Sequence, residues 1–255
     1  MEHKNYLAPS VQKAFRILQA IADSPTGLGV SELAKQLRIG KSTVHGIASA
    51  LEELGALVRD AIDKKYTIGY TLLELGRKAY GRTELRDIAR TAMERLMEAV
   101  GETVFVGTMN GDHATILEVV ESRNQLKITS PPGTRLPLLA GAVGKVFLAQ
   151  LEEGKAREIA QKMGLVRYTV RSVTDAALLL SQVEEAKRKG YAIDDEEYLP
   201  GVRAIAAPIL VSSLPPAAIW VVGFSSSLDD RKMTRVIPEV RKAAQEITHS
   251  MRDRL

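Results

Sequence analysis

The sequence predicts an α+β protein. It has a winged helix-turn-helix in residues 1–70, a linker helix over 71–83, and a second domain over 84–255 whose helices cover a mostly antiparallel sheet. Three observations carry this. Apolar residues recur at helical spacing in three short segments between Val11 and Leu54. A tight turn containing Gly40 joins the second of these to the third. Beyond Thr103, runs of strand-forming residues are separated by Gly- or Pro-containing turns and by longer amphipathic stretches. The chain of 255 residues suits two domains of ordinary size.

In the first helix Val11, Phe15, Leu18 and Ile21 share a stripe that stops at "DSPTG". The second follows Gly27 and Gly29, with Val30, Leu33, Ala34 and Leu37. The third carries Val44, Ile47, Leu51 and Leu54, and Gly55 ends it. Leu57–Arg59 and Tyr66–Ile68 then read as two short strands around the polar turn "DAIDKK", which makes a wing. From Thr71 the pattern is helical again, with Leu72, Leu75 and Ala79 on one stripe. "GRTE" interrupts it, placing a hinge near Gly81, before Leu85, Ile88, Ala92, Leu96 and Val100 continue. In the second domain "TVFVGTM" and "ATILEVV" form a hairpin across "NGDH", and "QLKIT" reads as a third strand. "SPPGTRLP" is read as irregular. Helices follow at "LAGAVGKVFLAQL" and "TDAALLLSQVEEAKRKG", strands at "YAID", "VRAIAAPIL" and "AAIWVVGF", and a last helix from about Thr234 with Val240, Ala244, Ile247 and Met251 facing in.

Composition excludes several chemistries. With no Cys there is no disulfide, thiolate metal ligand or thiol nucleophile, which fits a reducing compartment. The four His, at positions 3, 45, 113 and 249, are not paired at ligand spacing, so neither a metal nor a cofactor is expected. No apolar run approaches the ~18 residues that span a bilayer, and "MEHKNYLAPS" lacks an apolar signal core. A cytoplasmic protein without a membrane partner is therefore expected. The net charge is +4, and residues 1–80 hold 11 Lys and Arg against 8 Asp and Glu. That excess is modest.

Three stretches carry candidate chemistry. On the third helix Lys41, Ser42, Thr43, His45, Gly46 and Ser49 fill the face opposite the apolar stripe. Hydroxyls contact phosphate, Lys releases counterions and Gly46 permits close backbone approach, so the face suits the major groove of duplex DNA. Lys64 and Lys65 sit at the wing tip, within reach of phosphate. The plainer reading is a solvated face of a helical bundle. In "PLLAGAVGKVFL" small residues open a helix, either to leave bare N–H groups for a carboxylate or phosphate or to pack tightly on a sheet. "DDEE" at 194–197 would serve acid–base or metal chemistry, or be a solvated loop. No nucleophile or His partner accompanies it.

Assembled in this order, from about Ser10 to Asp253, the chain resembles the IclR family (isocitrate lyase regulator type) of bacterial transcription factors. "VQKAFRILQAIADSPTGLGVSELAKQLRIGKSTVHGIASALEELGAL" is similar to its winged helix-turn-helix, and "TRLPLLAGAVGKVFLAQL" and "GYAIDDEEYLPGVRAIAAPI" to its effector-domain signatures. The resemblance implies a GAF-like C-terminal domain that binds a small-molecule effector, and homodimers that pair into tetramers on palindromic, double-stranded operator DNA. It maps ligand-facing positions onto Ala142 and Val143, onto Asp194, onto Ala204 (commonly Cys), and onto Trp220 and Val222 (often Ser). The His often seen before the small-residue run is Leu139 here. These departures remove hydrogen-bonding groups and add apolar surface. They point to an aromatic or larger apolar organic acid rather than a small keto acid, with Trp220 either against the ligand or simply in the core. The expected function is a ligand-responsive, DNA-binding regulator of a catabolic operon, not an enzyme. The rivals are an α+β hydrolase or lyase using the 194–197 loop, and a regulator acting through protein partners.

Overall fold

The computed structural model describes residues 8–81, 84–152, 154–211 and 215–253, without the side chains of 77–84. The chain forms two compact units, Met1–Thr83 and Glu84–Leu255.

The first unit comprises α1 (Pro9–Ala22), α2 (Val30–Leu37), α3 (Lys41–Glu53), β1 (Leu57–Arg59), β2 (Tyr66–Ile68) and α4 (Tyr70–Gly81). Pro9 opens α1, where its missing N–H costs nothing. At the start of α2 the Gly29 N–H donates to Glu32 Oε2 at 2.7 Å. The turn into α3 is made by Arg38 in the left-handed region (φ 54°) and by buried Ile39, whose N–H donates to the Ala34 carbonyl. Arg16 donates to the Leu37 carbonyl at 2.9 Å and closes the end of α2. Ile17, Ile21, Leu33, Val44, Ala48, Leu57 and Tyr66 form the core. The expected stripes are only partly buried. Val11 and Phe15 are 55% and 62% exposed, and Leu54 is also exposed. Helical spacing marks a face but not how far the partner helices reach along it, and here they reach only the C-terminal half of α1. Beyond α4, residues 82–83, beside the hinge expected near Gly81, lie outside the described residues, as does the side chain of Ala79 on which part of the expected stripe rests.

The second unit runs α5 (Glu84–Val100), β3 (Thr103–Asn110), β4 (His113–Val120), β5 (Arg135–Pro137), α6 (Gly141–Ala149), α7 (Lys155–Met163), α8 (Ala176–Lys189), β6 (Ala192–Asp195), β7 (Val202–Ile209), β8 (Ala217–Phe224) and α9 (Asp230–Arg252). Its six strands lie in the order β5-β4-β3-β8-β7-β6, and every pairing is antiparallel. Both faces are covered. Val104, Ile205, Ile219 and Val221 meet α5 and α9, and Phe105, Ala206, Ala218 and Trp220 meet α6 and α8. Burial on both sides explains why β7 and β8 read as nearly continuous apolar runs.

Three sequence expectations fail here. Residues 125–129, read as a strand, are irregular, and the strand lies instead inside "SPPGTRLP", where Arg135–Pro137 pairs with the edge of β4. Pro137 is tolerated because an outermost strand has one free side. Helix α7 was not anticipated. Ala156, Ile159, Ala160 and Met163 recur there at helical spacing, but of these only Ala160 is fully buried. Helix α9 begins at Asp230 rather than Thr234, because the Asp229 carboxylate accepts the Lys232 N–H at 2.7 Å and caps it.

Within the small-residue run, Gly144 is fixed by packing. A Cβ there would lie 1.8 Å from the Leu138 carbonyl oxygen. Gly144→Ala is therefore expected to destabilise the second unit by about 3 kcal/mol or more. Differential scanning calorimetry of the full chain checks this, and an unchanged transition would refute it.

Candidate functional site

The outer face of α3 is open. Lys41, Ser42, Thr43, His45 and Gly46 are exposed and Ser49 is half-buried, while Val44 and Ala48 on the opposite face are fully buried. The Ser49 hydroxyl and His45 Nδ1 lie 3.3 Å apart and order one another along this face. A Cβ on Gly46 would touch nothing within 4 Å, so no packing requirement explains the glycine. On the wing, Asp60 accepts the N–H groups of Ile62 and Asp63 at 2.7 and 3.0 Å, which hold its carboxyl below the usual carboxylate range. Lys64 stands at φ 60° and turns its ammonium back onto the Ala61 carbonyl at 2.6 Å, and Lys65 is half-buried. The wing's two acids and two lysines cancel, and Ile62 is 93% exposed at its tip. The concentrated polar surface thus belongs to α3.

The second unit holds a cavity of about 220 Å³ between the start of α6, the β6–β7 turn and the β3–β4–β8 face. Ala142, Val143, Asp194, Ala204, Trp220 and Val222 line it, and Leu139 is not among its lining residues. Register brings the strand positions together. Asp194 stands opposite Ala204, and Ala204 opposite Val222, so one row crosses β6, β7 and β8. Two residues along β8 on the same face, Trp220 stacks on Phe105 with ring centroids 5.6 Å apart and planes 14° apart. Trp220 is 2% exposed and so is both a core residue and part of the wall. Gly107 makes room for it. A Cβ there would come within 2.8 Å of the indole, at the point where the β3–β4 pairing slips. No side chain caps α6, so its first N–H groups remain available beside Ala142 and Val143.

The four acids diverge. Asp194 is buried and faces the cavity, and its Oδ1 accepts the Glu197 N–H at 2.6 Å. Burial pushes its carboxyl up to about 6; the Glu197 N–H opposes this, the Glu197 charge adds to it and the Lys145 ammonium lowers it. Asp195 pairs with Arg171 and Arg203. Glu196 accepts the Gly201 N–H at 2.8 Å. Glu197 pairs with the buried ammonium of Lys145 at 2.5 Å, which also donates to the Ile193 carbonyl at 2.9 Å. Among the described residues no group of His, Asp and Glu is placed to hold a metal ion. Gly141 (φ +62°) opens α6 against Asp194, where a Cβ would lie 2.2 Å from Oδ2.

Sequence reasoning missed Phe105, Arg135 and Tyr198, which also line the cavity. Arg135 lay in a stretch read as irregular. Tyr198 follows the acidic run 194–197, for which the sequence offers either acid–base or metal chemistry or a solvated loop, and it packs edge-on against Tyr168 at 5.1 Å from a distant loop.

A helix-turn-helix unit joined to an α+β unit with a cavity is the build of a DNA-binding transcriptional regulator. The comparisons make this specific. Residues 10–61 match the IclR helix-turn-helix domain and residues 77–249 match the bacterial transcriptional regulator IclR C-terminal domain, so the chain belongs to the IclR family. It is 33% identical over 246 residues to the HTH-type transcriptional regulator BhcR of Paracoccus denitrificans, covering 96% of this chain and 88% of that protein. It is 30% identical over 242 residues to the transcriptional repressor IclR of Escherichia coli K12, covering 94% and 88%. An IclR homolog from Microbacterium hydrocarbonoxydans, solved in complex with 4-hydroxybenzoate, shares the fold at a TM-score of 0.79 and 24% identity, covering 96% of this chain and 99% of that one. The relatives are transcriptional regulators, not enzymes, and the reading of residues 194–197 as a reaction centre is set aside. No helix among the described residues is long and apolar enough to cross a membrane.

The Asp194 environment has a consequence for stability. Folding raises this carboxyl from 3.8 to about 6, so between those values the folded chain holds a proton that the unfolded chain has released. Stability is expected to fall by up to about 3 kcal/mol as pH rises through this window, and to level off above it. Asp194→Asn should remove that part of the slope. Urea unfolding of both proteins from about pH 4 to pH 8 checks it, and parallel profiles would count against it.

Proposed function

We propose that the chain binds palindromic operator DNA as a homodimer, laying α3 in the major groove, and that a small organic acid with an aromatic or apolar body switches this binding at a catabolic operon. The open polar face of α3 supports the first part. Lys41, Ser42, Thr43, His45, Gly46 and Ser49 offer short donors, one cation and a bare backbone. Lys64 and Lys65 act from the wing on phosphate, Lys64 partly by holding the turn. Dimerisation fits the exposed apolar side chains of Tyr70, Leu73 and Leu75 on α4, beside half-buried Leu72. Protein two-fold symmetry then implies a two-fold operator, and pairing of dimers gives a tetramer on DNA.

The observation that carries the second part is the cavity wall. The stacked Phe105–Trp220 pair, Ala204 and Val222 offer an apolar seat, while the α6 amides at Ala142 and Val143 and the Asp194 carboxyl supply polar ends. The volume suits a molecule of one ring. The solved Microbacterium homolog, with the same fold, carries 4-hydroxybenzoate.

Two outcomes are expected. Gly46 has open space and ordinary helical φ, so Gly46→Ala should stabilise the first unit by up to about 1 kcal/mol and yet weaken operator binding. Lys41→Ala should reduce the salt slope of that binding by about one counterion. Gel-shift titrations at several salt concentrations, with the number of chains per operator from sedimentation, check both; full affinity in Gly46→Ala would refute the docking. For the effector, Trp220 is the only tryptophan in the chain, so its fluorescence reports on the cavity. Aromatic acids should perturb it and bind calorimetrically more tightly than keto acids. Tight binding of glyoxylate or pyruvate would overturn the apolar assignment.

A further inference from the structure

The cavity presents a problem of charge. It holds a buried carboxyl, Asp194, on one wall and the uncapped start of α6 on the adjacent wall, and the two are in contact through Gly141. A carboxylate ligand drawn to the α6 amides would share that space with Asp194. Two carboxylates inside a cavity of about 220 Å³ would lie close together and partly shielded from water. Two such groups do not both remain ionised unless a cation lies between them.

Of the cations near Asp194, Lys145 and Arg203 are paired with carboxylates, and Arg135 is, among the described residues, the one cation that lines the cavity. Lys145, on α6, gives its ammonium to Glu197 and to the Ile193 carbonyl. Arg135, on β5, is half-exposed and reaches His113 Nδ1 at 3.1 Å. Arg203, on β7, pairs with Asp195 and Asp230 on the other side of the row. The β6–β7 turn contributes Glu197, whose negative charge is neutralised by Lys145, and the Tyr198 phenol. β8 contributes only Trp220 and Val222. The strand register gives Asp194 a neighbour without charge or donor, Ala204.

Resting on the reading of the cavity as an organic-acid site, we infer that Asp194 is a specificity residue that admits a carboxylate ligand only together with one proton. The proton comes from solvent and ends on the Asp194 carboxyl. The ligand stays an anion on the α6 amides, and the protonated Asp194 keeps the Glu197 N–H on Oδ1 and donates from Oδ2. The chemical class this selects is a monocarboxylate. A second ligand carboxylate would meet, among the described residues, no cation in the cavity beyond half-exposed Arg135 on β5, and a neutral ligand would bind without the proton. The burial that already raises this carboxyl to about 6 makes the uptake accessible near neutral pH.

The test is calorimetric titration of the full-length chain with benzoate and with its neutral analogue benzamide. It is run at about pH 8 in buffers of different ionisation enthalpy and repeated down to about pH 5.5, with Trp220 fluorescence as the second readout. Benzoate should take up close to one proton at pH 8, with affinity rising roughly tenfold per pH unit down to about 6 and flattening below. Benzamide should take up none and be insensitive to pH. Asp194→Asn should bind benzoate without uptake, and more tightly than the parent at pH 8. Benzoate binding to the parent without uptake, or Asp194→Asn weakening both probes equally, overturns the inference and leaves the cavity assignment standing. If neither probe binds either protein at any pH, the acid-site reading falls, and this inference with it.

Discussion

Burial of the six-stranded sheet on both faces is the constraint from which the second unit follows. Strands β3, β7 and β8 must be apolar on each side, with α5 and α9 filling one side and α6 and α8 the other. Close packing leaves space only where side chains are too small to fill it. The row Asp194–Ala204–Val222, the small residues that open α6, and the displacement of β3 at Gly107 all fall at one corner. The cavity is thus the unfilled part of an otherwise closed layer, and the largest aromatic pair in the unit, Phe105 and Trp220, forms its floor.

That corner also gathers the buried charge. Lys145 sits one turn into α6 and binds Glu197, whose backbone N–H in turn binds Asp194. The helix whose amides end at the cavity and the turn that carries its acid are therefore tied by one buried pair. A pair of this kind adds little net stability, but removing one partner leaves the other charged and unsatisfied. From outside, Thr169 and Ser172 donate to the carbonyls of Glu196 and Glu197, and Arg171 meets Asp195. A chain segment more than twenty residues earlier thereby fixes the turn.

In the first unit the division of labour is simpler. The buried face of α3 is set by Val44 and Ala48, which leaves its hydroxyl, cationic and glycine positions free of structural duty. The wing spends its polar groups on its own turn: Asp60 on two N–H groups and Lys64 on a carbonyl. Lys64 is legible in the sequence as charge, but its engagement with the turn is visible only in three dimensions.

The sequence by itself determined the elements whose signals are local. These include the three helices and hairpin of the first unit and the strands β3, β4, β7 and β8 as apolar runs. It also identified Asp194, Ala204, Trp220 and Val222 as candidates, through their resemblance to family signatures. Tertiary structure alone decided what depends on partners far along the chain. Pro137 is a strand residue because β4 offers an edge. Val11 and Phe15 are exposed because α2 and α3 stop short of them. The four acids at 194–197 part company because Lys145, Arg171, Arg203 and Gly201 each claim one or leave one to the cavity. Periodicity records which way a side chain points from its own helix or strand. Burial, charge pairing and the space left over are properties of what arrives opposite, and the chain settles these only when it closes.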